Sequence, residues 1–320
     1  MYSNMGNFLF SINVTMPIFL VMVLGYALRR IGILNDNFVT ICNKLNFKVT
    51  LPVLLFRDLS NVNIRAEFDL KFVLFCAFAT TVGFFGAWIL GKLFVKDPYS
   101  VGAFTQASFR SSAAVMGLAF IQNIYGSSTM GALMIIGAVP LYNVYSVIVL
   151  TIEGDYPPEE RSSGKVKQTL VNIAKNPIII GVLLGIVFGL LNNPLPTLVN
   201  STVDTVAKTA TPLALITLGA GFEGRKALKK IRPTLGASAY KLLIQAGIFL
   251  PIAIAMGFRG EKIIALVIML AAPATPSCYI MAKNMYNDGT LTASIVVATT
   301  LLASVTLTFW IFLVRTLGLI

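Results

Sequence analysis

Long apolar segments recur along the whole of this chain, and they constrain its fold more than any other feature. Each holds about 20 residues, the length an α-helix needs to cross a hydrocarbon layer roughly 30 Å thick. The 320 residues are 56% hydrophobic and only 12% charged, with a mean hydropathy of +0.81. Because a soluble domain carries about twice that charged fraction, we expect lipid to surround most of the exterior.

The apolar runs between polar breaks predict an all-α polytopic membrane protein with ten transmembrane helices. The spans are 8–31, 36–57, 70–95, 100–125, 128–152, 169–192, 203–222, 234–257, 262–284 and 289–314. The first run is not a cleaved signal peptide, because no basic segment precedes it and Arg29 and Arg30 follow it. No stretch between the runs is long enough for a soluble domain.

The basic residues predict the orientation of the spans. An even number of spans places both termini on one side. With the termini outside, most loop arginines and lysines lie inside, as cytoplasmic loops usually require. We therefore expect a multi-pass protein of the cell membrane, plasma or inner, with both termini outside. The net charge of +12 is then explained by topology, and we expect no nucleic-acid partner.

The cysteines and the missing histidine argue against metal or catalytic chemistry. Cys42, Cys76 and Cys278 lie within apolar runs and are interpreted as packing residues. The sequence has no histidine, whereas membrane-embedded enzymes usually need histidine, paired acids or an activated serine. We expect no catalytic residue, no metal site and no cofactor. A sensor or a channel built on a transporter scaffold is a further alternative. The predicted spans leave no attached soluble signalling domain, which argues against it.

The second half of the chain repeats the first at an offset of 160 residues. Coinciding intramembrane residues include Pro17 with Pro177, Gly25 with Gly185, Lys48 with Lys208, and Pro52 with Pro212. Five spans per half is an odd number, so the second copy inserts upside down. Inverted repeats are typical of alternating-access transporters; chance similarity between apolar sequences is the alternative. We predict a first repeat at 1–152, a cytoplasmic linker at 153–168 and an inverted repeat at 169–320.

Spans four and nine carry helix-disrupting segments near their centres. Pro273 and Pro276 remove two backbone donors from span nine, so that helix should break. Span four has a softer break at Ser111 and Ser112, next to Arg110. Unwound backbone at this depth is tolerated only where it lines a cavity or is buried in protein. We therefore expect a site at the two breaks.

Short motifs in a fixed order extend along nearly the whole chain. They are Pro140-Leu141-Tyr142-Asn143-Val144, Asn176-Pro177, Ala210-Thr211-Pro212-Leu213-Ala214-Leu215, Lys241-Leu242-Leu243, Ala272-Pro273-Ala274 and Thr299-Thr300-Leu301-Leu302. With them the sequence resembles the auxin efflux carrier family, whose bacterial members include proteins described as malonate and malate permeases. The resemblance implies a five-plus-five inverted repeat with crossed, broken helices four and nine, as in bile-acid symporters and sodium/proton antiporters. Homodimers occur among proteins similar to this one.

Span four departs from the family pattern. That pattern usually has an asparagine and ends in Gly-Leu-Pro, whereas this chain has Ser112 and Gly117-Leu118-Ala119. The departure concerns how far span four unwinds and which substrate it holds, and leaves the expected fold unchanged.

The candidate substrate-binding residues surround the two breaks. They are Arg110, Ser111, Ser112, Asn143, Pro273, Thr275, Pro276 and Ser277. Two half-helix N-termini there present unpaired amides and partial positive charge, which favour an anion. Arg110 costs at least about 2.5–3.5 kcal/mol at the bilayer centre, so it should face a cavity or a partner; a structural ion pair or snorkelling is the alternative. The hydroxyls either bind a carboxylate or bond back to helix carbonyls.

Further charged residues and prolines complete the predicted machinery. The candidate ion network is Lys48, Asp69, Asp204, Lys208 and Lys241, with Asp204 one turn before Lys208 and Asp69 a possible neighbour of Lys241. The candidate hinges are Pro17, Pro52, Pro177 and Pro212. The hypothesis is a secondary transporter, an efflux permease for a small organic anion or carboxylate. The alternative is a sodium- or proton-coupled carboxylate symporter on the same fold.

Overall fold

The computed structural model describes residues 4–60, 69–113, 121, 129–155, 174–191 and 195–320, which are almost entirely helical and contain no strand. The helices are α1 (Asn4–Arg30), α2 (Asp36–Ser60), α3 (Leu70–Phe94), α4 (Pro98–Phe109), α5 (Thr129–Glu153), α6 (Pro177–Leu191), α7 (Thr197–Ala220), α8 (Gly224–Lys229), α9 (Ile231–Ala255), α10 (Glu261–Ala271), α11 (Ser277–Asn284) and α12 (Gly289–Thr316). The predicted all-α class is confirmed for this part of the chain. The short α8 was not predicted and lies in an expected loop.

Five of the described helices are long and apolar enough to cross a bilayer. They are α2, α3, α5 from Met130 onward, α9 and α12. Helix α6 is a shorter apolar helix and begins eight residues later than the start predicted at 169. Span four is described as helix only to Phe109, and its predicted second half falls mostly outside the described residues.

Side-chain caps explain why several predicted helix starts agree with the structure. Asn35 accepts a hydrogen bond from the amide of Phe38 at 2.8 Å and begins α2. Asp69 accepts from Phe72 at 3.0 Å and begins α3. These oxygens satisfy amides that the first helical turn leaves unpaired. A polar cap directly before an apolar run therefore fixes the boundary locally.

The candidate hinge prolines occupy two kinds of position. Pro17, Pro52 and Pro212 lie inside α1, α2 and α7, respectively. In α2 a π-helical turn, Asn46–Thr50, comes immediately before Pro52, and a wider turn is a common local adjustment around proline in membrane helices. Pro177 is the first residue of α6, where proline's missing amide costs nothing. Pro177 therefore lies at a helix start and does not kink α6, and its role as a hinge stays a prediction.

Two close glycine contacts join the halves of the chain in a reciprocal way. Helix α1 packs along α7, where a Cβ on Gly25 would overlap the carbonyl oxygen of Ile216. Helix α2 packs along α6, where a Cβ on Gly185 would lie 2.9 Å from the carbonyl oxygen of Phe56. Both residues of the second contact are offset from the first by 160 positions. Small residues permit this approach of helix backbones.

The broken helices lie in the interior of the bundle. Every residue of α4 from Ser100 to Phe109 is buried, as is every residue of α10 from Ile263 to Ala271. Large apolar side chains are exposed on the outer helices instead, including Leu20, Leu74, Leu93, Leu183 and Leu190. This distribution suits a bundle whose outer surface contacts lipid chains.

Candidate functional site

Two helix breaks meet in the middle of the bundle. Helix α4 ends at Phe109 and Arg110 adopts an extended conformation, with φ −75° and ψ 135°. Helix α10 ends at Ala271, and α11 begins at Ser277 after a non-helical stretch containing both prolines. The amide of Ser112 donates a hydrogen bond to the carbonyl oxygen of Pro273 at 2.9 Å. The break predicted from Pro273 and Pro276 is present, and the softer break at Arg110 is present too.

A cavity of about 60 Å³ lies at this meeting point. Its wall contains seven of the eight predicted substrate-binding residues: Arg110, Ser111, Ser112, Asn143, Thr275, Pro276 and Ser277. The eighth, Pro273, contributes the carbonyl that holds Ser112. The remaining wall comes from α2, α5 and α7: Leu51, Leu54, Leu55, Asp58, Val139, Tyr142, Thr211 and Ala214. The space is enough for a few water molecules or a small solute.

Arg110 is the buried cation of the cavity wall, with only 5% of its surface exposed. Its Nη2 donates to Asn143 Oδ1 at 2.8 Å and its Nη1 contacts Met281 Sδ at 2.7 Å. Asn143 in turn donates from Nδ2 to the Val139 carbonyl at 2.8 Å, which fixes the direction of its oxygen. Both guanidinium contacts are therefore with neutral groups. Among the described residues, no carboxylate bonds to this guanidinium.

The hydroxyl groups of Ser111, Thr275 and Ser277 form hydrogen bonds with nearby groups, and all three residues line the cavity. Thr275 Oγ1 and Ser277 Oγ share a hydrogen bond of 3.2 Å at the start of α11. Ser111 Oγ donates to the Ile268 carbonyl at 3.4 Å, a long bond. The N-terminus of α11 thus faces the cavity through polar side chains. The second predicted half-helix N-terminus, in span four, lies outside the described residues.

Lys241 has a different environment from the one predicted. Its ammonium is fully buried and donates to the carbonyls of Leu270 at 2.9 Å and Met269 at 3.3 Å, and to Gln245 Oε1 at 3.2 Å. It therefore satisfies carbonyls at the broken C-terminal end of α10, where a cation is favoured. Asp69 does not approach it, because that carboxylate pairs with Lys262 at the start of α10.

The other charged candidates lie away from the cavity wall. Lys48 is exposed. Lys208 is exposed too and forms an ion pair with Asp204 at 2.5 Å, the pair that their spacing indicates. Asp204 also accepts from Arg57 at 3.2 Å. The five residues of the expected ion network are therefore distributed over separate contacts, and the structure does not bring them together.

Asp58 is the site residue that the sequence reasoning missed. It lies in α2, which continues to Ser60 and so extends beyond the predicted end at residue 57. Its carboxylate lines the cavity and pairs with Arg57 at 2.6 Å. The sequence does hold a signal for Asp58, because it lies one helical turn after Leu54 in an amphipathic segment. The hydropathy boundary at residue 57 instead assigns Asp58 to a loop.

Helix α11 also contacts α2 and the end of α7 through residues outside the cavity lining. Asn284 Nδ2 donates to the Asn43 carbonyl at 3.3 Å. The Tyr279 hydroxyl lies against Gly221, where a Cβ would overlap it.

The acidic and cysteine side chains of the described residues form no cluster that suggests a metal centre. Within the described residues, no group of three or more histidine, cysteine, aspartate or glutamate side chains is arranged to hold a metal ion. Cys42, Cys76 and Cys278 are free thiols, and the last two are buried.

Comparison with known proteins gives one consistent family. The family described as "Membrane transport protein" matches residues 10–311. An uncharacterised transporter of Methanothermobacter thermautotrophicus is 22% identical over 95% of this chain and 98% of its own length. The uncharacterised transporter YfdV of Escherichia coli is 24% identical over 96% and 98%. One from Methanocaldococcus jannaschii is 20% identical over 93% and 97%. The resemblance found from the motifs is confirmed.

Proposed function

Because the chain belongs to the membrane transport protein family, we propose that this transporter moves a small organic anion across the cell membrane. The observation that carries the proposal is Arg110, a buried guanidinium with neutral partners in a cavity wall. Burying a charge without a counter-charge is costly. A carboxylate that enters the cavity supplies that counter-charge, and it matches the planar fork of the guanidinium. These contacts favour an anion site over a structural ion pair.

The architecture that we infer has ten spans in two inverted repeats, 1–152 and 169–320, joined by a cytoplasmic linker at 153–168. The reciprocal contacts of Gly25 with Ile216 and Gly185 with Phe56 support it, because an approximate two-fold axis relates such pairs. The bond between the two helix breaks supports the crossing of spans four and nine. Both termini then lie outside, as the distribution of basic residues favours.

Alternating access follows from where the cavity lies. Its wall takes residues from α2 and α7 on one side and from both broken helices on the other. Movement of α1, α2, α6 and α7 against the crossed helices would therefore open it to either end. With both termini outside, Asp58 near the end of α2 would lie on the outer side of the cavity. Pro17, Pro52 and Pro212 lie inside the moving helices, where proline weakens the helical hydrogen bonds.

Export without a coupling ion suits the charges of the site. A membrane potential of roughly 100 mV, negative inside, favours expulsion of a monoanion by about 2.3 kcal/mol. The alternative, a sodium- or proton-coupled symporter, needs a free acid or free carbonyls. Asp69 and Asp204 are paired with lysines, the cavity acid Asp58 is paired with Arg57, and Lys241 already binds the carbonyls of α10. These pairings favour the uncoupled version.

Transport by purified protein in liposomes tests the proposal. Vesicles loaded with radiolabelled malonate, malate, butyrate or indole-acetate are given an inside-negative potential with valinomycin. We expect efflux of at least one carboxylate, lowered at least about tenfold by Arg110→Gln, equal to about 1.4 kcal/mol. Arg110→Lys should retain part of the activity. Arg232→Gln changes an exposed arginine and is the matched control.

Two results would count against this proposal. Wild-type efflux rates in Arg110→Gln would remove the anion site from the mechanism. Uptake against a gradient that collapses when a sodium or proton gradient is dissipated would replace uncoupled export by symport.

A further inference from the structure

The cavity wall holds an acid as well as the buried arginine. Asp58 of α2 lines the same space as Arg110, and its side chain is 20% exposed. Seven residues separate it from Leu51, which also lines the cavity, so the wall extends about 10 Å along α2 by helical rise. A solute that reaches from Arg110 toward the outer end therefore meets a carboxylate.

Among the described residues, hydrogen-bond donors reach one oxygen of that carboxylate, Oδ1. Arg57 donates to Asp58 Oδ1 twice, from Nε at 3.0 Å and from Nη2 at 2.6 Å. Its remaining Nη1 bonds to Asp204 at 3.2 Å, so the guanidinium is turned toward α7. Within the described part of the chain, Asp58 Oδ2 receives no hydrogen bond. A carboxylate oxygen accepts hydrogen bonds only, so a partner at Oδ2 has to be a donor.

We propose that Asp58 is a specificity-determining residue that selects a monocarboxylate with a hydrogen-bond donor at its far end and rejects dicarboxylates. The proposal rests on the proposed function, since Arg110 binds the solute's carboxylate. A second carboxylate would meet Asp58 as a like charge, and such a contact costs affinity. A hydroxyl or ammonium group would instead donate to Oδ2.

A matched series of four-carbon acids isolates this effect. Butyrate, γ-hydroxybutyrate, γ-aminobutyrate and succinate share one carboxylate and differ at the other end. Apparent dissociation constants come from ligand-dependent thermal shifts of the purified, full-length protein. We expect γ-hydroxybutyrate and γ-aminobutyrate to bind more tightly than butyrate, and succinate to bind at least about tenfold more weakly than γ-hydroxybutyrate.

The variant Asp58→Asn removes the negative charge and keeps the shape of the side chain. We expect it to strengthen succinate binding about tenfold and to weaken γ-aminobutyrate binding. Asp204→Asn is the control, because Asp204 shares Arg57 with Asp58 and does not line the cavity. It should leave the order of the four acids unchanged. If Asp58→Asn fails to fold, Asp58→Ser repeats the measurement with a smaller neutral side chain.

The outcomes separate this inference from the proposed function. Succinate binding as tight as γ-hydroxybutyrate binding in the wild type, or equal changes for all four acids in Asp58→Asn, would overturn the role of Asp58 alone. Retention of binding by all ligands in Arg110→Gln would overturn the anion site itself. Loss of all binding in Arg110→Gln, with an inverted preference in Asp58→Asn, supports both.

Discussion

The amide of Ser112 donates a hydrogen bond of 2.9 Å to the carbonyl oxygen of Pro273, and this bond joins the two helix breaks. Each break leaves backbone groups without helical partners, which is costly inside a membrane. Here the Ser112 amide at one break donates to the Pro273 carbonyl at the other, so each break supplies a hydrogen-bonding partner to the other. The cavity therefore depends on both breaks being present together.

Replacing the two prolines of span nine, which restores two backbone amide donors, should impair transport. In Pro273→Ala with Pro276→Ala, two amides return and the ring clash disappears, so α10 and α11 tend to join. We expect transport to fall at least about tenfold with the protein still folded. Pro251→Ala, inside α9 and outside the cavity wall, is the control. Unchanged transport by the double variant would show that the break is dispensable.

Removing the Lys241 ammonium should destabilise the protein. Lys241→Met removes the ammonium donor from the Leu270 carbonyl and leaves the Met269 carbonyl with the Tyr142 hydroxyl, and an unsatisfied buried polar group costs about 1–3 kcal/mol. We expect a lower melting temperature in detergent. The exposed Lys48 gives the matched variant Lys48→Met, which should melt close to the wild type. Equal melting temperatures for both variants would contradict the capping role.

Acid should weaken the contacts around Asp288. Burial alone would raise the pKa of Asp288, but hydrogen bonds from Lys230, Ser100 and the Leu291 amide together hold it below its usual value. A lowered carboxylate pKa contributes stability that is present above about pH 4 and lost as the pH falls through the folded-state value.

The melting temperature as a function of pH measures this contribution. Asp288→Asn keeps an oxygen for the Leu291 cap and loses the charge, so it should melt lower at neutral pH and show a shallower decline in acid. The exposed Asp36 provides the control variant Asp36→Asn, which should follow the wild-type curve. If the melting temperatures of Asp288→Asn and the wild type declined in parallel in acid, the Asp288 carboxylate would not be the source of this pH-dependent stability.

Replacing either of the two reciprocal glycines, Gly25 or Gly185, by alanine should lower the melting temperature. Gly25→Ala places a methyl group against the Ile216 carbonyl, and Gly185→Ala places one 2.9 Å from the Phe56 carbonyl. Overpacking of this kind costs about 1–3 kcal/mol. We expect both to melt below Gly247→Ala, whose nearest neighbour would be 3.9 Å away. A neutral effect at either position would weaken the case for equivalent helix contacts.

The positions of many helices and of the two helix breaks could be predicted from the sequence, because their signals are local. Apolar run length predicted the helices, and side-chain caps such as Asn35 explain why several predicted starts agree with the structure. Paired prolines gave the break in span nine, since proline cannot donate a hydrogen bond. Most residues near the two breaks then lie in the cavity wall, because unwound backbone at that depth has to line a cavity or be buried.

Pairing between distant charges was not predictable. The contact of Lys241 with the end of α10, and of Asp69 with Lys262, depends on how helices from different parts of the chain pack. Asp58 was missed because a charged residue ends an apolar run by hydropathy, although the helix itself continues. The residue type shows that a buried charged group needs a hydrogen-bonding partner. Which partner it has depends on how helices from distant parts of the chain pack together.

Thiol protection at the crossing tests the central claim most directly. Ser112→Cys is made in a protein whose three native cysteines are replaced, and a membrane-impermeant thiol reagent is added to liposomes with and without a transported carboxylate. The cavity predicts that the thiol reacts, and that the carboxylate slows the reaction in the single variant but not when Arg110→Gln is added. A thiol that never reacts, or one whose reaction rate no transported carboxylate alters, would contradict a substrate site at the meeting of the two broken helices.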